Sequence, residues 1–328
     1  MPRTADIQKL SHQFLPTDAV LTNWEGLEPY FKTLLAQDLD SVATLEKWLQ
    51  NLSELEAFIS EDACWRQIKM TCDTTDKSLE ESFNFFCMEI QPKMQPYADA
   101  LNKKLIACPY TAQLNQSAYF TYLRSVKKSI ELFREENIPI QAELSVLQQQ
   151  YGTIAGKMTI QFKEQEYTLQ QAAQFLESPD RAIREEVYLK IQERRLQDQT
   201  SMHDLFSSLI QKRNQVALNA GFANYRDYKF QELGRFDYSK EDCYQFHEAI
   251  KLHVLPLIDK IYARKKKKLG VATLKPWDTE AEPAGIAPLK PFTDGKDLYN
   301  KSVACFEKLN PFFADCLRKM NDLKHFDL

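Results

Sequence analysis

Glycine is scarce in this chain: eight in 328 residues, where average usage would give about 23. Glycine supplies the positive φ of tight hairpins, phosphate loops and strand bulges. Its deficit argues against nucleotide-binding α/β folds, P-loops and all-β architectures. Histidine is scarcer still, with five residues, which limits any metal chemistry from the outset. The seven cysteines are an odd number and none forms a C-x-x-C pair. They read as reduced, mostly buried small hydrophobes of a cytoplasmic protein. No strong charge of either sign is present, since 42 bases against 46 acids leave a net charge of −4. That balance gives no general field for nucleic acid or an anionic membrane. No run approaches the roughly 18 apolar residues of a membrane span, and Met1 to Leu10 has no secretory apolar core.

What is present is helical periodicity over nearly the whole length. Leu45, Trp48, Leu49, Leu52, Leu55 and Ile59 recur at steps of three and four, with Asp40 or Ser41 placed to cap the helix they define. A second stripe runs from Leu79 through Phe83, Phe86, Ile90, Met94, Tyr97 and Leu101 to Leu105. Pro92 and Pro96 inside it predict a kink or break. Tyr119 to Phe133 and Ile140 to Tyr151 continue the helical pattern. The exception is Met158–Phe162 and Glu166–Leu169 around Lys163-Glu-Gln165, which reads as a small β-hairpin. Thr168 with Gln171 matches a capping box, and Ser178-Pro179-Asp180 predicts the start of a helix running toward Asn219 and Gly221. Ser239 with Asp242 opens another, striped by Cys243, Phe246, Ile250, Val254, Leu257 and Ile261, bent by Pro256 and ended by Gly270. Residues 271–295 hold four prolines and read as a long irregular connection, followed by a final helix over most of Leu298 to Leu323. The fold class is therefore all-α.

Few residue patterns carry chemistry. His247-Glu248-Ala-Ile-Lys251 is the nearest to a zinc-peptidase motif, but the second ligand position is a lysine, protonated at neutral pH. His253 lies about 9 Å further along the axis and ~120° around it, so it cannot replace that ligand. Ser125-Val-Lys-Lys128 has serine–lysine spacing without the partner motifs such a nucleophile needs, and reads as an exposed helix face. The acid pairs Glu80-Glu81, Glu135-Glu136 and Glu185-Glu186 read as solvated helix faces. Arg264 to Lys268 reads as cations at a helix C-terminus, where they meet the dipole, in preference to a nucleic-acid patch. No catalytic or metal-ligating residue is assigned.

Several segments, in order, carry a resemblance. They are Lys157–Leu169, Leu176–Glu186, Gln211-Lys-Arg213 with Ala223–Tyr228, Arg235–Tyr238, and Leu274-Lys-Pro-Trp-Asp278. Together they resemble the oligoendopeptidase F family, zinc metallopeptidases of the thimet-oligopeptidase clan. The resemblance implies an almost wholly helical molecule with a deep channel between two halves, cleaving short peptides. In that family zinc is held by H-E-x-x-H and a downstream glutamate, and the motif glutamate activates zinc-bound water. The motif follows the region similar to Asn321–Leu328. The expectation is therefore an N-terminal helical region over 1–178 and the first part of a catalytic domain over 179–328. Zinc and oligopeptides belong to the complete enzyme. This chain alone is expected to bind no catalytic zinc and to need a missing C-terminal catalytic half. The alternative is a non-catalytic helical module that binds peptides or proteins.

Overall fold

The computed structural model describes residues 12–282 and 289–326, so the expectations for Met1 to Leu10 and part of the 271–295 connection lie outside the described residues. The first layer contains α1 (Trp24–Ala36), α2 (Val42–Cys72), α3 (Lys77–Phe85), α4 (Gln91–Ala107) and α5 (Gln116–Leu132). Ser41 caps α2 through the Thr44 amide, and every member of the Leu45–Ile59 stripe is buried. Trp48 is fully enclosed, and its indole N–H donates to the Leu34 carbonyl at 2.9 Å, locking α2 to the end of α1. Lys104 of α4 serves the same end. Its ammonium donates to the carbonyls of Leu34, Leu35 and Gln37, which have no partner within the helix. Trp24, Phe31 and Tyr97 pack ring against ring at 5.4–5.6 Å beneath. The approach to α1 is held by Glu54, whose carboxylate accepts from the amides of Gln13, Phe14 and Leu15.

The expected break in the Leu79–Leu105 stripe is a π-helical turn at Phe86–Ile90, with Pro92 just inside the first turn of α4. The wider turn relieves the clash that a proline makes with the carbonyl four residues back. Phe86, Ile90, Leu101 and Leu105 remain on the core face.

A second core forms between α6 (Asn137–Gly156), α9 (Gln199–Asn219) and α10 (Tyr225–Glu232), around Leu144, Leu205, Leu209, Val216 and Tyr228. A third lies under the hairpin. Strands β1 (Thr159–Phe162) and β2 (Gln165–Thr168) pair antiparallel, with Ile160 opposite Tyr167, and Ile160 and Phe162 pack on Val187 and Ile191 of α8 (Arg181–Gln197). The turn is two residues, Lys163 and Glu164, both at positive φ (49° and 63°), so Gln165 belongs to the strand. This is the turn geometry that matches strand twist, here made without glycine. The Thr168–Gln171 capping box is present at the start of α7 (Leu169–Ala173).

Three boundaries differ from the sequence expectation. The cap of α8 is Asp180, whose carboxylate accepts from the Ala182 amide, while the Ser178 hydroxyl accepts from the Asp180 amide one step before the helix. The helical run to Asn219 is interrupted at Asp198, dividing α8 from α9; Gly221 at φ 86° then ends α9 as expected. The last helix is two, α13 (Gly295–Leu309) and α14 (Pro311–Asp322), because Asn310 caps a new helix whose first residue is proline. The cysteines also depart from expectation: of the seven only Cys87 and Cys108 are buried.

Trp48→Ala is expected to cost roughly 3–5 kcal/mol, the range for emptying a fully buried aromatic site. Urea unfolding of the variant against the parent chain measures it, and a loss below 1 kcal/mol would contradict this packing.

Candidate functional site

Past Tyr228 the chain leaves these cores and forms an arm, α11 (Lys240–Ala249) and α12 (Leu255–Leu269), joined by a second π-helical turn at Ile250–Val254 with Pro256 immediately after it. The capping box of Ser239 and Asp242 starts it, and Gly270 at φ 65° ends it. Both ends of the arm are gripped by arginine. At departure, Arg124 of α5 lies 4.5 Å from the Phe236 ring and 5.3 Å from that of Phe120, and pairs with Asp237 at 3.2 Å. At return, the 275–278 turn docks on the first turn of α8.

In that return contact both oxygens of the Asp278 carboxylate are fully engaged. Asp278 is fully buried and Arg184 is 2% exposed. Arg184 Nη2 donates to Asp278 Oδ1 at 2.9 Å, its Nε to the Trp277 carbonyl at 2.9 Å, and its Nη1 to the Ser178 carbonyl at 2.7 Å. Arg181 adds a two-point grip, Nε to Oδ1 at 3.0 Å and Nη2 to Oδ2 at 2.8 Å, and the Lys275 amide also donates to Oδ2. Burial by itself raises a carboxyl pKa. Here the Arg181 hydrogen bonds, the Lys275 amide and Arg184 outweigh it and hold Asp278 well below the usual carboxylate range.

The arm itself is apolar and open. No side chain of α11, of the π turn or of α12 is buried. Phe246 is 64% exposed, Leu257 55% and Ile261 52%, and Leu252, Leu255 and Tyr262 are exposed on other sides. The α13–α14 hairpin repeats the pattern: Phe306 and Phe313 meet at 6.1 Å yet stay accessible, and of its side chains only Ala314 is buried. Its far end returns to α2, where His325 lies 5.0 Å from the Trp65 ring. A helix apolar on more than one side and lacking a buried face presents a surface suited to contact with another structure.

The residues singled out from sequence fall as follows. His247, Glu248 and Lys251 sit on the arm, with Lys251 pairing to Glu248 at 3.4 Å; His253 follows in the π turn. Ser125 donates to the Thr121 carbonyl at 3.0 Å and Lys128 pairs with Glu131, so they do not engage one another. Arg264 to Lys268 form the last turns of α12, with Lys265 donating to the Thr279 carbonyl. Among the described residues no group of three His, Cys, Asp or Glu side chains is arranged to hold a metal, and no helix is long and apolar enough to cross a membrane. The Arg181–Arg184–Asp278 site was not found from sequence as a unit. Asp278 lies 97 residues from Arg181 and 94 from Arg184, and a single sequence carries no signal joining them.

Comparison with known proteins fits this division. Residues 14–133 match the peptidase M3 N-terminal domain, and residues 174–298 match peptidase family M3. No curated protein matches. Among solved structures, PZ peptidase A with an inhibitor is similar over 94% of this chain and 55% of its own, with TM-score 0.88 and 22% identity. A candidate oligoendopeptidase F from Bacillus anthracis is similar over 95% and 58%, with TM-score 0.86 and 20% identity. Oligoendopeptidase F from Enterococcus faecium is more distant, with TM-score 0.63 and 13% identity over 85% and 56%. The chain spans a little over half the length of these structures, and the likeness is one of fold.

Arg184→Ala leaves Asp278 buried beside a single, half-exposed arginine. It is expected to cost roughly 3–5 kcal/mol, as for other broken buried pairs, and to release residues 273–279 to hydrogen exchange. Because the carboxyl is depressed, the stability it contributes is fully present above its unfolded value near pH 4 and is lost only as pH falls through the lower folded value. Protection of 273–279 should therefore persist at pH 3.5 in the parent chain and be absent even at pH 7 in Asp278→Asn. Equal protection in both would contradict the assignment.

Proposed function

Because the chain belongs to peptidase family M3, we propose that it is the amino-terminal part of a cytoplasmic oligoendopeptidase F-like zinc metalloendopeptidase that hydrolyses short peptides. Residues 1–178 serve as the N-terminal helical region and residues 179–328 as the first part of the catalytic domain. The observation that carries this reading is the arm. Two M3 regions match in order, and the second ends in helices whose apolar sides have nothing packed on them.

The family implies a zinc ion. A zinc set needs neutral imidazoles or carboxylates converging at helical spacing. The nearest pattern offers one histidine, His247, with an ammonium at the second ligand position that is paired to Glu248. The residues do not fit the metal, and no hydrolytic step is assigned to them. Zinc and the peptide-cleaving machinery belong, in this reading, to a catalytic half that packs on the arm and the α13–α14 hairpin. This chain supplies one wall of the peptide channel, and the two arginine grips set where that wall stands.

The 328-residue protein is expected to show no chelator-sensitive cleavage of an internally quenched oligopeptide, and to bind a hydrophobic dye while retaining a cooperative thermal transition of its cores. Chelator-sensitive cleavage would overturn the inactive reading. A monodisperse protein with no dye binding and saturable peptide affinity would favour the non-catalytic module.

A further inference from the structure

A pocket of about 210 Å³ lies between α4, α5, the 133–141 segment and α10, with Gly234 and Phe236 at the arm's departure also lining it. Its wall is unbalanced in hydrogen bonding. Asp99 is 8% exposed; one carboxylate oxygen pairs with Lys103 at 2.6 Å, and the other, Oδ1, is buried with no partner. Tyr228 is 3% exposed, and burial followed by the charge of Glu232 holds its phenol protonated, far above its ordinary range. Its O–H donates to Glu232 Oε1 at 3.3 Å, and the Gln141 side chain is bonded to the phenol oxygen.

The charged donors of the same wall, and Asn137, already serve other acceptors. The Arg134 guanidinium donates to the carbonyls of Glu131, Phe133 and Asn219. The Asn137 amide donates to the Val216 carbonyl at 3.0 Å, and Lys128 is held by Glu131. The last turns of α5 and α10 also line the pocket, and a helix C-terminus carries partial negative charge. The buried, unpartnered Asp99 Oδ1 and the negative ends of α5 and α10 call for a ligand that brings N–H groups; the Lys128 and Arg134 charges of the wall are turned to acceptors of their own, and the first turn of α6 also lines the pocket. The pocket is larger than a bare ion requires, and no three acidic, histidine or cysteine groups gather in it for a metal.

We propose that this pocket binds the ammonium group of a small polar primary amine, with Asp99 as its principal acceptor. The inference does not depend on the peptidase reading.

The test is calorimetric titration of the full chain at pH 7 with glycinamide and, as the uncharged control, N-acetylglycinamide. Glycinamide is expected to bind and the acetylated compound not to. Asp99→Asn should weaken binding about tenfold, the scale of one charge-assisted hydrogen bond. Glu232 is on the partly exposed rim, so Glu232→Gln should fold normally and weaken binding to a smaller extent. It decides the matter if Asp99→Asn does not fold. Absence of glycinamide binding, equal binding of both compounds, or affinity unchanged in the folded variants would overturn the proposal and leave the pocket to solvent.

Discussion

The second half of this molecule depends on one buried carboxylate. Asp278 has given up its hydration entirely, and only the surrounding N–H groups, two from Arg181, one from Arg184 and one from Lys275, make that tolerable. Because Arg184 also binds the carbonyls of Ser178 and Trp277, the site joins the entrance of α8 to the turn that ends the arm. The helix entrance, the chain return and the arm's position are thus set together. A buried ion pair is a poor source of net stability but a strict one of geometry, since misalignment leaves a charge unpaired.

The contrast with the rest of the chain is one of burial. Residues up to Tyr228 form three apolar clusters with ordinary interior packing. After Tyr228 the side chains are as hydrophobic and as regularly helical, yet almost none is enclosed. Helix formation in α11 and α12 has its local causes, a capping box at one end and a left-handed glycine at the other. Tertiary burial, which normally supplies most helical stability, is missing there. The structures this chain resembles in fold are nearly twice as long.

Periodicity made much of this legible. The Leu45–Ile59 stripe, the hairpin, both capping boxes and the glycine ends of α9 and α12 are local signals, each spanning a few residues, and all are present. The divisions at Asp198 and Asn310 were harder. Asp and Asn are tolerated inside helices, and only the surrounding packing shows that Asn310 turns its side chain to cap the next helix. Periodicity also marks Phe246, Leu257 and Ile261 as a core stripe, because an amphipathic pattern reports which side seeks burial, not whether a partner is there. The Asp278 site and the Asp99 pocket were illegible for another reason: each is assembled from segments about thirty to a hundred or more residues apart, whose individual residues look like ordinary surface charge.

The two π-helical turns have a further consequence. Such a turn inserts one extra residue into the helix, and each residue advances the helix by about 100°. Apolar positions that would align along a straight helix are therefore re-aimed after Ile250–Val254. In the Phe86–Ile90 turn the re-aiming is absorbed, because Phe86 and Ile90 in the turn and Leu101 and Leu105 beyond it are enclosed by the core. In the arm it leaves Phe246 ahead of the turn, and Leu257 and Ile261 after it, out of phase along one open surface. A polypeptide covering that surface has to wind around the arm instead of lying along it, which ties the shape of any such partner to a single inserted residue.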